Sequence, residues 1–272
     1  MIFRRLFLFI AVAGSFLSSV CSCTVKEDRS GCPCWLQVRV QNKEVVSTPV
    51  GVIGWNGSGL FDESFSIVEY PDYYERIVEK GFLHVLGYCG VRSMTLDAGH
   101  SLVIEYGREC DSLYSCSLPV DATGEFADAP LMLRKQFATV YLDIRKSADD
   151  LRDYSFVVEG GVCGFDLLRH SPVEGAFRCE PSAVSGSSVA VFRVPRQKDD
   201  SLVLGLTYDA GQGAFAIDRY PLGRYIASLN YSWSSEDLQD IYIMLDIISG
   251  RINIGVDGWE PEIGFDLDRI EI

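Results

Sequence analysis

Apolar side chains recur at every second position through most of this 272-residue chain, and that period commits it to strands. Leu36, Val38 and Val40 alternate with Gln37, Arg39 and Gln41, and Leu102, Ile104 and Tyr106 with Val103 and Glu105. Ala138, Val140, Leu142 and Ile144 face away from Thr139, Tyr141, Asp143 and Arg145; Tyr154, Phe156 and Val158, then Leu202, Leu204, Leu206 and Tyr208, repeat the pattern. In extended backbone successive side chains point to opposite faces, so each run has one apolar and one wetted face. Ile241, Ile243, Leu245 and Ile247 are followed, across Ser249-Gly250, by Ile252, Ile254 and Val256, which reads as a hairpin. Helical spacing is scarce. Tyr73–Lys80 and Ser235–Gln239 are the short candidates, the second with Ser234 or Ser235 as N-cap and Glu236-Asp237 in its first turn. Many short strands without strand–helix alternation predict an all-β protein of antiparallel β-sandwiches.

The first residues stand outside this pattern. Arg4 and Arg5 precede an apolar run, Leu6 to Leu17, and a small-residue stretch, Ser18 to Ser22. The run is too short to cross about 30 Å of hydrocarbon and ends as a removable signal ends. Val20-Cys21-Ser22-Cys23 resembles the bacterial lipobox, with an aliphatic residue at −3 and a small one at −1. The register at Cys21 places Ser18 and Val20 in those positions, a poorer match. The reading is a signal peptide over 1–22 and a lipidated tether over 23–30, with diacylglycerol and an N-acyl chain on Cys23. One acyl chain holds a protein only marginally; several hold it stably. Lys26-Glu27-Asp28 resembles the signal by which Bacteroidota send lipoproteins to the outer face of the outer membrane. The same three residues also make a solvated, charged tether.

Beyond the signal, 250 residues remain, enough for two domains. The loop-like stretch Cys110 to Pro130, with Pro119, Gly124 and Asp128, divides the strands into a first module over 31–130 and a second over 131–272. Losing Arg4 and Arg5 with the signal takes the formal charge from −14 to −16, and no basic run follows residue 5. Nucleic acid is thereby excluded as a partner, because phosphate neutralisation needs clustered Lys and Arg. Seven cysteines remain after Cys21 and Cys23, an odd number, in a compartment that permits disulfides. Cys110/Cys116 and Cys163/Cys179 are the local candidates, although spacing does not fix connectivity. Cys32-Pro33-Cys34 has one intervening residue, no second close pair follows, and His84, His100 and His170 are scattered, so a zinc site is not expected.

No Gly-x-Ser-x-Gly elbow, phosphate loop or dinucleotide fingerprint is present. The glycines of 81–90 and Gly211-Gln212-Gly213 read as turn residues, since a phosphate loop needs a following helix. His84, beside Val85 and Leu86, is expected in or near the core. His100 and His170 sit in turns without a nucleophile nearby in sequence. Asp149-Asp150, Asp199-Asp200, Glu236-Asp237 and Asp266-Leu267-Asp268 could supply a carboxylate pair that meets in space. Their turn and strand-end surroundings favour solvated charge. The sequence therefore offers no catalytic residue, no metal and no cofactor other than the lipid on Cys23. Asp111-Ser112-Leu113 and Asp200-Ser201-Leu202 resemble the O-glycosylation sequon of Bacteroidota.

Cys23-Thr24-Val25-Lys26-Glu27-Asp28-Arg29-Ser30-Gly31-Cys32-Pro33 is an acidic tether and a Cys-Pro step leading straight into the strand Cys34 to Gln41. It resembles the start of the fimbrium-anchoring subunits of type V fimbriae. The ending is similar too: Ile241 to Ile247, a turn, then Ile252-Asn253-Ile254-Gly255-Val256-Asp257-Gly258-Trp259. Residues 42–130 do not match residue by residue. The resemblance implies two transthyretin-like sandwiches in tandem, no enzymatic activity, and a surface-exposed place in the outer membrane at the fimbrial base. It implies fimbrial shaft subunits as partners, joined by strand addition, in which a donor strand fills the groove and unpaired edge of an incomplete sandwich. After the break at Pro261, Ile263, Phe265 and Leu267 alternate as a candidate donor-strand contact. The competing reading is that this segment closes its own module as an edge strand. A surface glycan-binding lipoprotein is the second functional class, with Trp55, Tyr73, Tyr74 and Trp233 as candidate aromatic platforms.

Overall fold

The computed structural model describes residues 29, 31–46, 49–147, 154–181, 189–211, 214–246, 251–256 and 264–266. Signal peptide, most of the tether and the Ser249-Gly250 turn lie outside them. The strands are β1 (Cys34–Val40), β2 (Val50–Trp55), β3 (Gly59–Phe65), β4 (Tyr74–Val78), β5 (Phe82–Cys89), β6 (Thr95–Leu96), β7 (Ser101–Val103), β8 (Tyr114–Asp121), β9 (Phe126–Leu131) and β10 (Arg134–Lys135). There follow β11 (Phe137–Arg145), β12 (Tyr154–Asp166), β13 (Ser171–Cys179), β14 (Val189–Pro195), β15 (Val203–Gly211), β16 (Ala214–Tyr220), the helix α1 (Leu222–Ser228), β17 (Ile241–Asp246), β18 (Arg251–Val256) and β19 (Gly264–Asp266).

Four sheets make two sandwiches, as the alternation predicts. In the first, β4-β1-β9 faces β10-β8-β5-β2-β3. Its core takes Leu36, Val38 and Val40 from one sheet and Val50, Val52, Leu83, Val85 and Val120 from the other. In the second, β14-β11-β17-β18-β19 faces β16-β15-β12-β7-β6, with β13 also on β12. Ala138, Val140, Leu142, Ile241, Ile243, Leu245, Ile252 and Ile254 meet Val158, Leu204 and Leu206 across it. Every described apolar position named in the alternating runs is at least half-buried except Tyr106, which stands 65% exposed after the end of β7.

The division at residue 130 is not a clean cut. The β6–β7 hairpin belongs by sequence to the first module, yet Ser101–Val103 pairs with Gly164–Asp166 of β12 in the second. Met94, Leu102, Ile104, Cys110 and Leu113 pack into the second core. The chain thus leaves the first sandwich after β5, contributes two strands to the second, and returns for β8. Conversely β10, beyond residue 130, pairs with the start of β8 in the first. The stretch Cys110 to Pro130 is largely strand, because both prolines fall where no ladder donor is needed. Pro130 is on the edge strand β9, and β10 covers β8 only at Tyr114 and Ser115, leaving Pro119 on an edge.

Asp111 ties the outgoing and returning limbs of the crossing together. Its Oδ2 accepts the amides of Arg92, Ser93 and Met94 at 2.7, 2.7 and 2.9 Å, and its Oδ1 the Ser93 hydroxyl at 3.0 Å. Gly90, with φ of 83°, lets the limbs touch: a Cβ there would lie 1.9 Å from the Ser112 carbonyl oxygen.

Both short helix candidates fail. Tyr74–Val78 is the strand β4, and residues 235–237 are bends with no helix through Gln239. Among the described residues the α-helix lies instead at Leu222–Ser228, burying Leu222, Tyr225 and Ile226 on one stripe. Pro221 at its N-cap supplies no side-chain acceptor, so the usual capping signal is missing. The two candidate disulfides are not formed, and Cys110, Cys116, Cys163 and Cys179 carry free thiols. Cys110 faces the second core and Cys116 the first, while Cys179 stands opposite Val158, five residues along β12 from Cys163. His84 alternates with buried Leu83 and Val85 and is exposed, on the outer face of its sheet.

Candidate functional site

β1 and β9 set a direction through the molecule. They run parallel, from Trp35 beside Phe126 to Val40 beside Leu131. Both start at the end where the N-terminal segment enters: Arg29 Nη1 donates to Glu125 Oε1 at 2.6 Å, and Lys80 Nζ donates to the Arg29 carbonyl at 2.7 Å. At the far end Asn42 Nδ2 donates to the Leu133 carbonyl at 2.7 Å and Asn42 Oδ1 accepts the Leu133 amide at 3.0 Å. The chain passes there, through β10, into β11 and the second sandwich. The second sandwich therefore stands away from the point where residue 29 enters.

The predicted site residues are mostly beyond view. Cys23, Lys26, Glu27, Asp28, Ile263 and Leu267 lie outside the described residues. Phe265 belongs to β19, whose backbone places it opposite Ile252 of β18. β19 pairs with Arg251–Asn253 only, and among the described residues no strand covers the rest of that edge of β18. The opposite edge of the same sheet is β14, and it is capped. The Cys110 amide donates to the Arg193 carbonyl at 3.2 Å, and the Arg193 amide donates to Glu109 Oε2 at 3.1 Å. Among the described residues, then, the β14 edge of this sheet is capped and the β18 edge beyond Asn253 carries no paired strand.

The outer face of the β14-β11-β17-β18 sheet carries an aromatic pair. Tyr141 of β11 and Tyr242 of β17 are neighbours in parallel register, their rings stacked at 4.8 Å and 7°. With Asp143, Val189, Met244 and Asn253 they line a shallow groove of about 380 Å³. Neither tyrosine is among the four aromatic candidates that sequence singled out. Trp55 packs edge-on against His100, Trp233 against Tyr231, and Tyr74 lies flat on Phe65. A short hydrogen bond from the Tyr74 hydroxyl to Glu63 pushes that phenol up to about 12. Tyr73 is exposed. Tyr141 and Tyr242 each occupy the wetted side of an alternating run, and only the parallel pairing of β11 with β17 brings them together.

A polar cleft of about 610 Å³ is lined by Arg134, Gln136, His170, Arg196, Trp233 and Glu236, among others. Its charged groups are tied into the fold. Arg196 is buried and uses its whole donor fork: Nε on Gln136 Oε1 at 2.7 Å, and Nη1 and Nη2 on the carbonyls of Trp233, Ser235, Lys135 and Glu236. Glu236 and Asp237 pair with Arg134 at 2.7 and 2.9 Å. Burial lowers the His170 pKa, and its Nε2 lies 3.4 Å from both the Ser115 carbonyl and Gln136 Nε2. Among the described residues no cluster of His, Cys, Asp and Glu could hold a metal ion. Of the two sequons, Ser112 is flanked by buried Asp111 and Leu113, and Ser201 Oγ accepts the Gly161 amide at 3.0 Å.

No family model matches the sequence, and no curated protein matches it. Solved structures do. A candidate polysaccharide-binding protein from Bacteroides thetaiotaomicron superposes with a TM-score of 0.64 at 15% identity, over 83% of this chain and 96% of that one. The fimbrial anchor protein Mfa2 from Porphyromonas gingivalis superposes with a TM-score of 0.60 at 12% identity, over 84% of this chain and 98% of its own. The chain has the Mfa2 fold. A candidate adhesin from Bacteroides ovatus shares it, with a TM-score of 0.57 at 14% identity over 87% and 96% of the two chains. An Mfa2-like fold accounts for the two sandwiches, and nearly the whole length of each of these proteins is spanned.

Proposed function

We propose that this chain is a non-enzymatic, lipid-anchored structural subunit at the base of a cell-surface fimbria. Cys23 holds it in the outer membrane, and the second sandwich receives the shaft through strand addition. The observation that carries the reading is the polarity of the molecule. The N-terminal segment enters at one end of β1, while the edge of β18, covered among the described residues only at Arg251–Asn253, belongs to the sandwich at the other. A subunit joining a membrane to a fibre needs its two attachment points apart in this way. The Mfa2 fold and the lipobox-like Val20-Cys21-Ser22-Cys23 support the same reading. The short strand β19, held by only three residue pairs, is the element we assign to exchange with the neighbouring subunit.

The test is Cys23→Ala in the native organism. Metabolic labelling with a palmitate analogue is expected to lose the band, and fimbriae are expected in the medium rather than on cells. Cells that keep both label and fimbriae would refute the proposal. One observation favours a second reading, glycan binding: the stacked Tyr141–Tyr242 pair over a shallow groove suits a sugar face. Tyr242→Ala abolishing retention on a polysaccharide column, with fimbriae unaffected, would favour it.

A further inference from the structure

The sheet β4-β1-β9 has an apolar feature that its core does not use. Its inner face, with Leu36, Val38, Val78 and Ala129, closes the first sandwich. Most of its outer face is polar, as a wetted face should be. Gln37 stands between Glu75 and Asp128, donating to Glu75 Oε1 at 3.0 Å, and Arg39 lies 3.4 Å from Asp128. One row departs from this. Trp35 is directly opposite Ile77 of β4 and Phe126 of β9, and the three are 42%, 50% and 68% exposed. Residues opposite one another on neighbouring strands share a face, so the row is continuous. Phe82, 74% exposed, begins β5 at the same end of the sandwich, but it alternates with core Leu83 and Val85 and so faces outward from the opposite sheet, apart from the row. Single exposed apolar residues need no explanation, but a grouped set marks a contact.

The position of the row identifies its occupant. It is the row at which the chain arrives from Cys23, and eleven residues from Cys23 to Cys34 span at most about 40 Å. The apolar band is one residue deep, and the next row is the Glu75-Gln37-Asp128 ladder. That depth fits shallow entry into a lipid surface better than the broad apolar centre of a protein–protein contact. Trp settles at the membrane–water boundary, and Phe joins it on the apolar faces of shallowly inserted segments. Charged groups rim the row at this end, Lys80 on the Arg29 carbonyl and the Arg29–Glu125 ion pair beside it. We propose that Trp35, Ile77 and Phe126 form a seat that dips into the lipid surface and holds the first sandwich in one orientation on the membrane. This inference rests on lipid anchoring at Cys23.

The test uses the full lipoprotein, purified from membranes and reconstituted in phosphatidylcholine vesicles with a fraction of brominated phosphatidylcholine. Flotation reports anchoring, and quenching of tryptophan emission reports the seat. Wild type is expected to float and to be quenched. Trp35→Phe, a conservative change at an exposed position, should float equally and lose most of the quenched signal. Ile77→Ser with Phe126→Ser should float while Trp35 loses its quenching. Flotation with the same quenching in wild type and Trp35→Phe would overturn the seat and leave the anchor standing. Failure of wild type to float would overturn both. A dimer in detergent that shields Trp35 from a soluble quencher would assign the row to a second copy instead.

Discussion

Asp111 holds the crossing between the sandwiches, and its removal should show how far the two depend on each other. One carboxylate takes three backbone amides and a hydroxyl within 3.0 Å while being 6% exposed. Hydrogen bonds to a charged group contribute about 1.5–3 kcal/mol each, less when they share an acceptor. Three of the four share Oδ2, so Asp111→Ala should cost about 3–4 kcal/mol, mostly from amides left without a partner. Asp111→Asn keeps one acceptor oxygen and should cost about half of that. The pH dependence has a fixed sign. Burial by itself raises the Asp111 pKa, but the donors from Arg92, Met94 and Ser93 outweigh it and leave the carboxyl below its ordinary value. A depressed native pKa means the contribution is complete above the unfolded value, about 3.9, and is lost as pH falls through the native one. Urea midpoints of wild type and both variants at pH 7, and again between pH 4 and 2, read this directly. The gap between wild type and Asp111→Asn should narrow on acidification. A gap that widens, or an alanine variant within about 0.5 kcal/mol of wild type, would refute the account of the crossing.

Arg196→Ala should destabilise the chain by about 3–5 kcal/mol, because four carbonyls and Gln136 lose a buried charged donor. Arg196→Lys should rescue little of it in a thermal melt, since an ammonium cannot span five acceptors in a plane. Truncation after Pro261 should lower the melting temperature by no more than about 2–4 °C, as expected for loss of a three-pair edge strand, yet detach fimbriae; a much larger drop would make β19 part of its own sheet's core instead. Replacing Lys26, Glu27 and Asp28 together with Ala should leave the protein in the outer membrane but protect it from protease added to intact cells, and unchanged digestion would discount the export signal.

The strand faces were legible because burial on one side of a sheet leaves a period of two in the sequence. Ala138 to Ile144 and Ile241 to Leu245 show it without interruption, and their buried faces lie where the alternation puts them. What a local reading cannot supply is which strand lies beside which. The β6–β7 hairpin joins the sheet of β12 through partners some sixty residues on, and nothing within Thr95–Val103 announces it. The same limit hid Tyr141 and Tyr242, ordinary outward positions until β17 is set beside β11. The two prolines misled for a physical reason: proline signals a turn locally, whereas an edge strand tolerates it equally well. Tyr73–Lys80 shows the remaining weakness, since eight residues are too few to separate a helical period from the strand period of Tyr74–Val78.

The parallel pairing of β1 with β9 also decides how the molecule answers a pull. Tension between the N-terminal segment and the second sandwich draws β1 from its start and β9 from its finish. The two strands are then asked to slide past each other lengthwise, and the ladder from Trp35–Phe126 to Val40–Leu131 carries the load in common rather than opening one bond at a time. Sliding would also drag the apolar partners of Leu36 and Val38 out of register. Drag on anything held by the far sandwich is thus met as shear across the first one, the loading direction in which a β-ladder yields last.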